Sequence, residues 1–319
     1  MLTRIDIQNY KSIYKASVQL SPFTLLIGAN GTGKSNFLQL LKQLSENQRS
    51  DKEEKLHLPR HHSFAAEDQR ITVYNDNNQI YEVDESAQNI QVADQQVSVL
   101  SRSLPELSDV KIFSLIPQNA GKDETLALSP SVGEDGSGTV QVLDALKTGD
   151  REDLFDKIEA VFKDYIPEVK KLSFVPTQNA KRLQIRDKNL PKPVLVSELS
   201  EGMQLALILI TILYQEKKPS LICIEDIDRG LHPRLYQQIV ELCFDIAERE
   251  GVQIIATTHN PYLVDEFKDN EEAVLIVEKK DGQTKFTTLA ERTEKIEPVE
   301  EPLGALWYAG FVGGVPQRA

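Results

Sequence analysis

The stretch Gly28-Ala29-Asn30-Gly31-Thr32-Gly33-Lys34-Ser35 decides the fold of this chain. It reads G-x-x-x-x-G-K-S, directly follows the apolar run 23–27 and directly precedes a helix-like run, 36–44. A loop that cradles phosphate needs a buried strand that ends abruptly, glycines that let backbone N–H groups converge, and a helix whose N-terminus faces the phosphate. A chance glycine-rich turn is the weaker alternative, because both flanking elements are present. The sequence therefore predicts a nucleotide-binding P-loop.

The composition is that of an ordinary folded protein and limits the classes of function. The chain has 319 residues, of which 40% are hydrophobic and 27% charged, enough for one large α/β domain or two modest ones. No run approaches the roughly 18 consecutive apolar residues of a membrane helix, and the N-terminus lacks the pattern of a signal peptide. We therefore expect a cytoplasmic protein without a membrane partner. The net charge of −13 argues against broad non-specific attraction to nucleic acid.

The cysteines and a group of histidines carry little functional signal. Cys223 lies in an apolar strand and Cys243 on an apolar helix face, so we expect two buried structural thiols. His57, His61 and His62 fall close together in a polar stretch, but no cysteine or regularly spaced carboxylate accompanies them. Solvated loop histidines are favoured over a metal site.

Alternating runs organise the first half of the chain. The runs 2–7 and 16–20 predict an antiparallel pair before the P-loop strand, and the helix after Lys34 is expected to end near Leu44, followed by a mobile loop to residue 62. An antiparallel β lobe follows, with strands predicted at 71–74, 79–83, 90–92, 96–100 and 111–116. Helices at 140–146 and 151–165 and short strands at 172–175, 182–186 and 194–196 complete this part, without the heptads of a coiled-coil arm.

Three further segments carry chemistry. Ser200 and Gly202 stand where the apolar helix 205–214 opens, which makes an anion site or a simple helix cap. The apolar strand 220–224 runs into Glu225 and Asp226, and neighbours on a strand point to opposite sides, so one acid can face Mg²⁺ and the other the attacking water. A helix is expected from Asp228 to about residue 250. The buried strand 253–258 is then followed by a histidine at position 259.

In this order the segments resemble those of an ABC-type ATPase head. Residues 28–35, 199–204, 222–226, 228–232 and 259 resemble its Walker A, signature, Walker B, D-loop and H-loop. The runs 9–13, 230–233 and 258–261 resemble the branch with SMC-like, RecF-like and OLD-type ATPases. The ending, 302–316, resembles the tail of stand-alone AAA-type predicted ATPases of prokaryotic defence operons.

The resemblance implies a fold. It is an α/β P-loop NTPase of ABC-ATPase type, with a mixed central sheet, an antiparallel β lobe and a helical signature lobe. The whole chain, 1–319, would form one domain. Its nucleotide-binding core would comprise 1–44 and 197–319, and 45–196 would be an inserted lobe without a coiled-coil arm.

The resemblance also implies the cofactors, ATP and Mg²⁺, and a role for each residue. The residues expected to contact the bound nucleotide are Asn30, Gly31, Thr32, Gly33, Lys34, Ser35 and Asn36. Ser35 and Glu225 would bind Mg²⁺, Asp226 would orient water, and Lys34 and His259 would act on the γ-phosphate. Ser200 and Gly202 would contact the ATP held by a second subunit, in a homodimer with two ATP molecules sandwiched between the heads.

The sequence departs from the family pattern at two places. The acid pair is Glu-Asp instead of Asp-Glu, and Asp226 is one methylene shorter than the usual base, so hydrolysis is expected to be slow. Glu201 occupies a signature position where glycine is common, a variation that this branch tolerates. Gln118 is a weak candidate for the Q-loop glutamine.

The leading hypothesis is an ATP-hydrolysing dimeric switch that regulates a separate effector, a nuclease or toxin, in anti-phage defence. Too few residues follow position 261 for a fused TOPRIM nuclease. One alternative is a RecF- or SMC-like repair ATPase that binds DNA directly, although the charge does not indicate it. A transporter ATPase subunit is a further alternative, which the entry strand and the irregular signature disfavour.

Overall fold

The computed structural model describes most of the chain, in two compact units. The described residues are 1–49, 59, 68–77, 79–84, 99–100, 103–122, 130–177, 180–296 and 301–316. Unit 1 comprises Met1–Ile112, Pro219–Ile227 and Ala247–Ala319, and unit 2 comprises Phe113–Lys218 and Asp228–Ile246. The expected core of 1–44 and 197–319 with an inserted lobe stays a prediction. His57, His61 and His62 lie outside the described residues.

From β1 to β12, the described strands and helices follow the order that the sequence predicts. The strands are β1 (Leu2–Tyr10), β2 (Ile13–Gln19), β3 (Phe23–Ile27), β4 (Arg70–Asn75), β5 (Gln79–Asp84), β6 (Val99–Leu100), β7 (Val110–Phe113), β8 (Val169–Pro176), β9 (Lys181–Asp187), β10 (Val194–Leu195), β11 (Leu221–Ile224), β12 (Gln253–Thr258), β13 (Val274–Lys280) and β14 (Gln283–Thr288). The helices are α1 (Lys34–Arg49), α2 (Thr139–Thr148), α3 (Glu152–Tyr165), α4 (Glu201–Tyr214), α5 (Pro233–Glu250), α6 (Pro261–Val264), α7 (Leu289–Thr293) and α8 (Leu303–Tyr308).

The main sheet is mixed, as predicted, and it positions the candidate site. Its order is β14-β13-β3-β12-β11-β7. Strands β13, β3, β12 and β11 run parallel, and β14 returns antiparallel to β13. In the register Ile27 pairs with Thr258, and Ile224 pairs with Ala256. The carboxyl ends of β3, β11 and β12 therefore meet at one edge, where ligands bind in open α/β sheets.

A second sheet in unit 1 has the order β2-β1-β4-β5-β6. Its pairs are antiparallel except that β6 runs parallel to β5. The sequence placed the strand 111–116 in this lobe, and that was wrong, because β7 joins the main sheet and ends at Phe113. Alternation along one strand identifies its buried face but not the sheet that it joins. The strand predicted at 90–92 lies outside the described residues.

Helix α1 is longer than predicted, ending at Arg49 instead of Leu44. Its last turn is polar but not a loop, because its side chains satisfy backbone groups of the following segment. The Ser45 hydroxyl accepts from Val110 N at 3.2 Å, and the Gln48 carbonyl oxygen accepts from Leu104 N at 2.8 Å. Polar composition alone does not distinguish such contacts from solvent exposure.

Unit 2 combines helices with a small antiparallel sheet, β10-β9-β8. Helix α4 is at its centre, and every residue from Gln204 to Tyr214 is buried. The buried Gln204 amide donates to the carbonyls of Val196 and Leu199, both at 3.0 Å, which ties the preceding turn to the helix. This arrangement is the predicted helical signature lobe.

The prediction for the thiols agrees with the structure. Cys223 in β11 and Cys243 in α5 are buried and free, and burial raises the pKa of Cys243 to about 12. Among the helices of the described ranges, none has both the length and the apolar character needed to span a bilayer.

Candidate nucleotide-binding site

The loop between β3 and α1 fits tightly against the sheet at two of its glycines. Gly28 has φ +149°, and a Cβ there would lie 2.2 Å from the carbonyl oxygen of Val277 on β13. Gly33 has φ +114°, and its Cβ would lie 2.3 Å from the Thr284 hydroxyl on β14. Both positions thus require glycine for backbone conformation and for space. At the tip of the loop, Asn30 and Gly31 are exposed.

The Lys34 side chain is folded into the loop. Its ammonium donates to the carbonyl oxygens of Gly28 at 2.7 Å and Ala29 at 3.0 Å, and the residue is only 8% exposed. Burial lowers the pKa of Lys34 to about 8, and the negative charge of Asp226 partly opposes this effect. A desolvated ammonium encircled by loop carbonyls is suited to binding anionic oxygens, because phosphate restores the charge interactions lost on burial.

A chain of hydrogen bonds braces the loop from outside. Thr284 Oγ1 lies 2.6 Å from Thr32 O, which can only accept, so the Thr284 proton is used there. Ser12 Oγ lies 2.8 Å from Thr284 Oγ1 and therefore supplies the proton of that contact. Asn36 Nδ2 in turn donates to Ser12 Oγ at 2.8 Å. The side chain of Asn36, which sequence reasoning assigned to the nucleotide, here joins this brace.

The first residues of α1 and the end of β11 bring two oxygens together. Ser35 Oγ donates to Glu225 Oε1 at 3.0 Å, although the two residues are 190 positions apart in the chain. A hydroxyl and a carboxylate are oxygen ligands of the kind that Mg²⁺ prefers. The donor set at this point therefore fits the predicted Mg²⁺ site. Within the described ranges, no cluster of three or more histidine, cysteine or acidic side chains offers a competing metal site.

Asp226 leaves β11 in a strained backbone conformation. The sequence predicts both acids at the end of the strand, but β11 ends at Ile224, so Glu225 and Asp226 lie in the turn that follows. Asp226 has φ +48°, and its N–H donates to the Thr257 hydroxyl on β12 at 2.9 Å. The turn, and not strand alternation, therefore separates the two carboxylates.

His259 follows β12 and lies beside Asp226. The distance from His259 Nε2 to Asp226 Oδ1 is 4.0 Å, and the two side chains are 44% and 45% exposed. The hydroxyl of Thr258 accepts from the Asn260 N–H at 3.0 Å, and Asn260 caps the short helix α6. The edge of the main sheet thus gathers Lys34, Ser35, Glu225, Asp226 and His259.

In unit 2 the predicted signature residues surround the start of α4. Ser200 is exposed and caps the helix, with its hydroxyl accepting from Met203 N at 3.4 Å. A Cβ on Gly202 would lie 2.9 Å from the carbonyl oxygen of Gly230, so this glycine permits close contact with the turn 228–232. Gln118 contacts Glu201 at 3.5 Å, and its Q-loop role stays a prediction.

The turn 228–232 was predicted to be helical and is not. Helix α5 begins at Pro233 instead of Asp228. A proline at the first helical position has no N–H to leave unsatisfied, so it marks the start of a helix.

Sequence reasoning missed the threonines and the serine that hold the site. Ser12 lies in the run 9–13, whose pattern indicates only a family resemblance. Thr257 and Thr284 each lie within a strand-like run of sequence. No local spacing distinguishes them from other β-strand threonines. Their contacts are visible only once the strands are paired.

Comparisons with known proteins agree on the kind of fold. A family model described as "AAA ATPase domain" matches residues 1–134, and one described as "AAA domain, putative AbiEii toxin, Type IV TA system" matches 141–265. None of the curated proteins compared with the chain shows significant similarity to it.

Solved structures similar to the chain include SMC heads. One, bound to the C-terminal winged-helix domain of ScpA, is 13% identical, with a TM-score of 0.57 over 91% of this chain and 99% of the other. A Pyrococcus furiosus SMC head bound to the C-terminal domain of ScpA is 12% identical, with a TM-score of 0.51 over 92% and 98%. A dimeric ATP-binding cassette with ADP and Pi is 14% identical, with a TM-score of 0.43 over 89% and 98%.

Proposed function

We propose that this chain, a P-loop ATPase with the head fold that SMC and ABC ATPases share, is an ATP-driven dimeric switch that controls a separate effector protein. The observation that carries the proposal is the contact of Ser35 with Glu225 at 3.0 Å beside the buried Lys34. It brings the groups that we propose to bind phosphate and Mg²⁺ together in one place. The setting we propose is the cytoplasm of a prokaryote, in defence against phage.

ATP and Mg²⁺ fit the residues present. Lys34 would exchange its carbonyl partners for phosphate oxygens, and the N–H groups of residues 30–36 would converge on the same phosphates. Ser35 and Glu225 would hold Mg²⁺, which when bound neutralises negative charge on the phosphates. The brace of Ser12, Thr284 and Asn36 would keep the loop in its binding conformation.

Asp226 and His259 are the candidates for the reactive step. The half-exposed Asp226 carboxylate would accept a hydrogen bond from the attacking water and orient it, while His259 would contact the γ-phosphate. Their separation of 4.0 Å leaves the side chains adjacent but not locked together. Both would therefore adopt their working positions when the site is complete.

A second copy of the chain would complete the site. SMC heads and ABC ATPases act as ATP-sandwich dimers, and here Ser200 is exposed at the N-terminus of the buried helix α4. We propose that Ser200 and Gly202 of one subunit contact the γ-phosphate of ATP bound by the other. The positive end of α4 would then stabilise this anion.

Two findings support a partner protein and a defence role. The family description that matches residues 141–265 names a putative AbiEii toxin of a type IV toxin–antitoxin system. The two SMC heads described above are each bound to a domain of another protein, ScpA. We propose that this head likewise acts on a separate protein, a nuclease or toxin.

Sedimentation tests the dimer. With ATP and Mg²⁺, the variant Asp226→Asn should bind but not hydrolyse ATP and should sediment as a dimer. Adding Ser200→Arg should leave ATP binding intact and return the protein to a monomer. If Asp226→Asn remains monomeric with ATP bound, the sandwich proposal is wrong.

Mixing variants tests whether the site is shared. Lys34→Ala subunits supply an intact Ser200, and Ser200→Arg subunits supply an intact P-loop. If both are inactive alone, their mixture should recover hydrolysis up to about half of the wild-type level, because only mixed dimers can close and each carries one complete site of two. A mixture as inactive as its components would contradict a shared site.

A plating assay tests the defence role. Bacteria that express the chain with its neighbouring genes should resist phage, and Lys34→Ala should remove the resistance. As a matched control, Lys42→Ala removes a charge from the same helix, α1, about two turns away and should change little. Equal plating of phage with and without the wild-type genes would exclude this role.

A further inference from the structure

The C-terminal segment 302–316, here called the strap, packs against other parts of unit 1 at two loops of the candidate site. These are the phosphate loop, 28–35, and the histidine loop, 259–261. It begins with α8, which packs on the short helix α6, and it ends in a turn that contains Gly313 and Gly314. The proposed mechanism gives this segment no role. Its two ends, however, are held by unusually close contacts.

The first end of the strap is fixed next to the histidine loop. The Gly304 N–H donates to Asp265 Oδ1 at 2.7 Å, and a Cβ on Gly304 would lie only 1.9 Å from the carbonyl oxygen of Pro261. Pro261 is two residues after His259 and begins α6. The backbone of the strap therefore touches the backbone that carries the candidate histidine.

The other end is fixed next to the phosphate loop. The Gly314 N–H donates to Glu278 Oε1 at 3.0 Å, and the Glu278 carboxylate is also paired with Arg292. A Cβ on Gly314 would lie 3.8 Å from the Cα of Gly28, the first residue of the P-loop. Since Gly28 also faces the Val277 carbonyl, the start of the loop is enclosed by β13 and the strap.

The single tryptophan of the chain lies at this contact. Trp307 is buried, and its Nε1 would lie 3.2 Å from a Cβ on Gly314. Within the part of the chain that the structure describes, the Trp307 N–H has no hydrogen-bond partner. Its environment therefore depends on the position of Gly314, and through Gly314 on that of Gly28.

We infer that the strap is a positioning element of the ATP site. It holds the phosphate loop and the histidine loop in fixed positions relative to each other, and it makes the environment of Trp307 respond to nucleotide binding. The inference rests on the proposed function only in that the P-loop binds ATP. It assigns positioning roles to Gly304 and Gly314. A shift of Gly28 on ATP binding is then transmitted to the indole through Gly314.

Tryptophan emission of the full-length chain tests the inference. ATP and Mg²⁺ are titrated while emission is recorded, and bound radiolabelled ATP is measured separately on filters. The emission should change saturably, in parallel with the bound ATP. If ATP saturates the protein and the emission is unchanged, the inference is wrong and the ATPase proposal stands. If no ATP binds, both fall.

Alanine variants separate a positioning role from general backbone strain. Gly314 and Gly282 have φ of +74° and +76°, but a Cβ on Gly282 meets no atom within 4 Å, so Gly282→Ala is the matched control for strain alone. Gly314→Ala should weaken ATP binding about tenfold and uncouple the emission change from binding, whereas Gly282→Ala should preserve both. Equal behaviour of the two variants would overturn the inference.

The two ends of the strap should differ in kinetics. Gly304→Ala disturbs the histidine loop and should lower kcat about tenfold with KM near the wild-type value, whereas Gly314→Ala should act mainly on KM. Should either variant fail to fold, the emission of the wild-type chain still decides the question. Matching effects of both variants on kcat and KM would contradict separate positioning roles.

Discussion

The phosphate loop and the pair Asp226–His259 lie at the same edge of one sheet but are held very differently. In the loop, Lys34 is 8% exposed and bonded to two carbonyls, and Thr284 braces Thr32. The acid and the histidine are almost half exposed and 4.0 Å apart. One chain thus preforms the proposed binding half of the site and leaves the proposed reactive half more exposed to solvent. This difference is the one expected from our proposal of an ATPase whose site a second subunit completes.

Replacing Lys34 is expected to have the largest effect in this comparison. Lys34→Ala should weaken ATP binding by about 100-fold or more, because it removes the buried charge aimed at the phosphates. Calorimetric titration with ATP and Mg²⁺ measures the change, with Lys42→Ala as the control on the same helix. Normal ATP binding by Lys34→Ala would remove the basis for assigning this loop to phosphate.

Asp226→Asn should impair ATP hydrolysis without impairing ATP binding. It should lower kcat about 100-fold while ATP affinity stays within about threefold of wild type, because the carboxylate is expected to act on water and not on ATP. Asparagine is chosen because it tolerates the left-handed backbone at this position, so the loss of charge is tested without added strain. An unchanged kcat would contradict the assignment of Asp226 to orienting the attacking water.

The pH dependence of ATP affinity should report the state of Lys34. Its pKa is about 8 in the free protein, and bound phosphate should raise it, so binding above that pH must take up a proton. Affinity should be fully present below about pH 7 and fall about tenfold by about pH 9. In Lys34→Arg, any residual binding should be independent of pH over this range, because arginine stays charged. If the ATP affinity of the wild-type protein did not change with pH over this range, the lowered pKa of Lys34 would be contradicted.

The smallest effect is expected at the brace. Thr284→Val keeps the shape of the side chain but leaves the Thr32 carbonyl without its donor, which should cost about 1–3 kcal/mol of stability and weaken ATP binding several-fold. Thr287→Val on the same strand is the control, because its hydroxyl is partly exposed and accepts from Arg292 at 3.5 Å. Chemical denaturation and ATP titration measure the two effects. If the two variants behave alike, the brace is not needed.

Local sequence patterns predicted the order of the elements up to β12 and which residues lie at the carboxyl edge of the main sheet, because each motif is bounded by its own strand and helix. They failed where a contact joins distant parts of the chain. Thr284 lies 252 positions from Thr32, and nothing around it indicates a partner. The end of α1 was missed because its polar side chains bond to backbone groups, and β7 was assigned to the wrong sheet because pairing is not encoded in alternation.

The left-handed backbone of Asp226 gives a reason for the order of the acid pair. The second acid must adopt φ +48°, a region that aspartate enters more readily than the longer glutamate. The reversed Glu-Asp order is therefore compatible with this turn, in which the longer side chain falls on Glu225 and reaches Ser35. Substitution at position 226 is thus restricted by backbone conformation as well as by charge. If the order of the pair were reversed to Asp-Glu, the turn would have to change before the glutamate at position 226 could act as a better base.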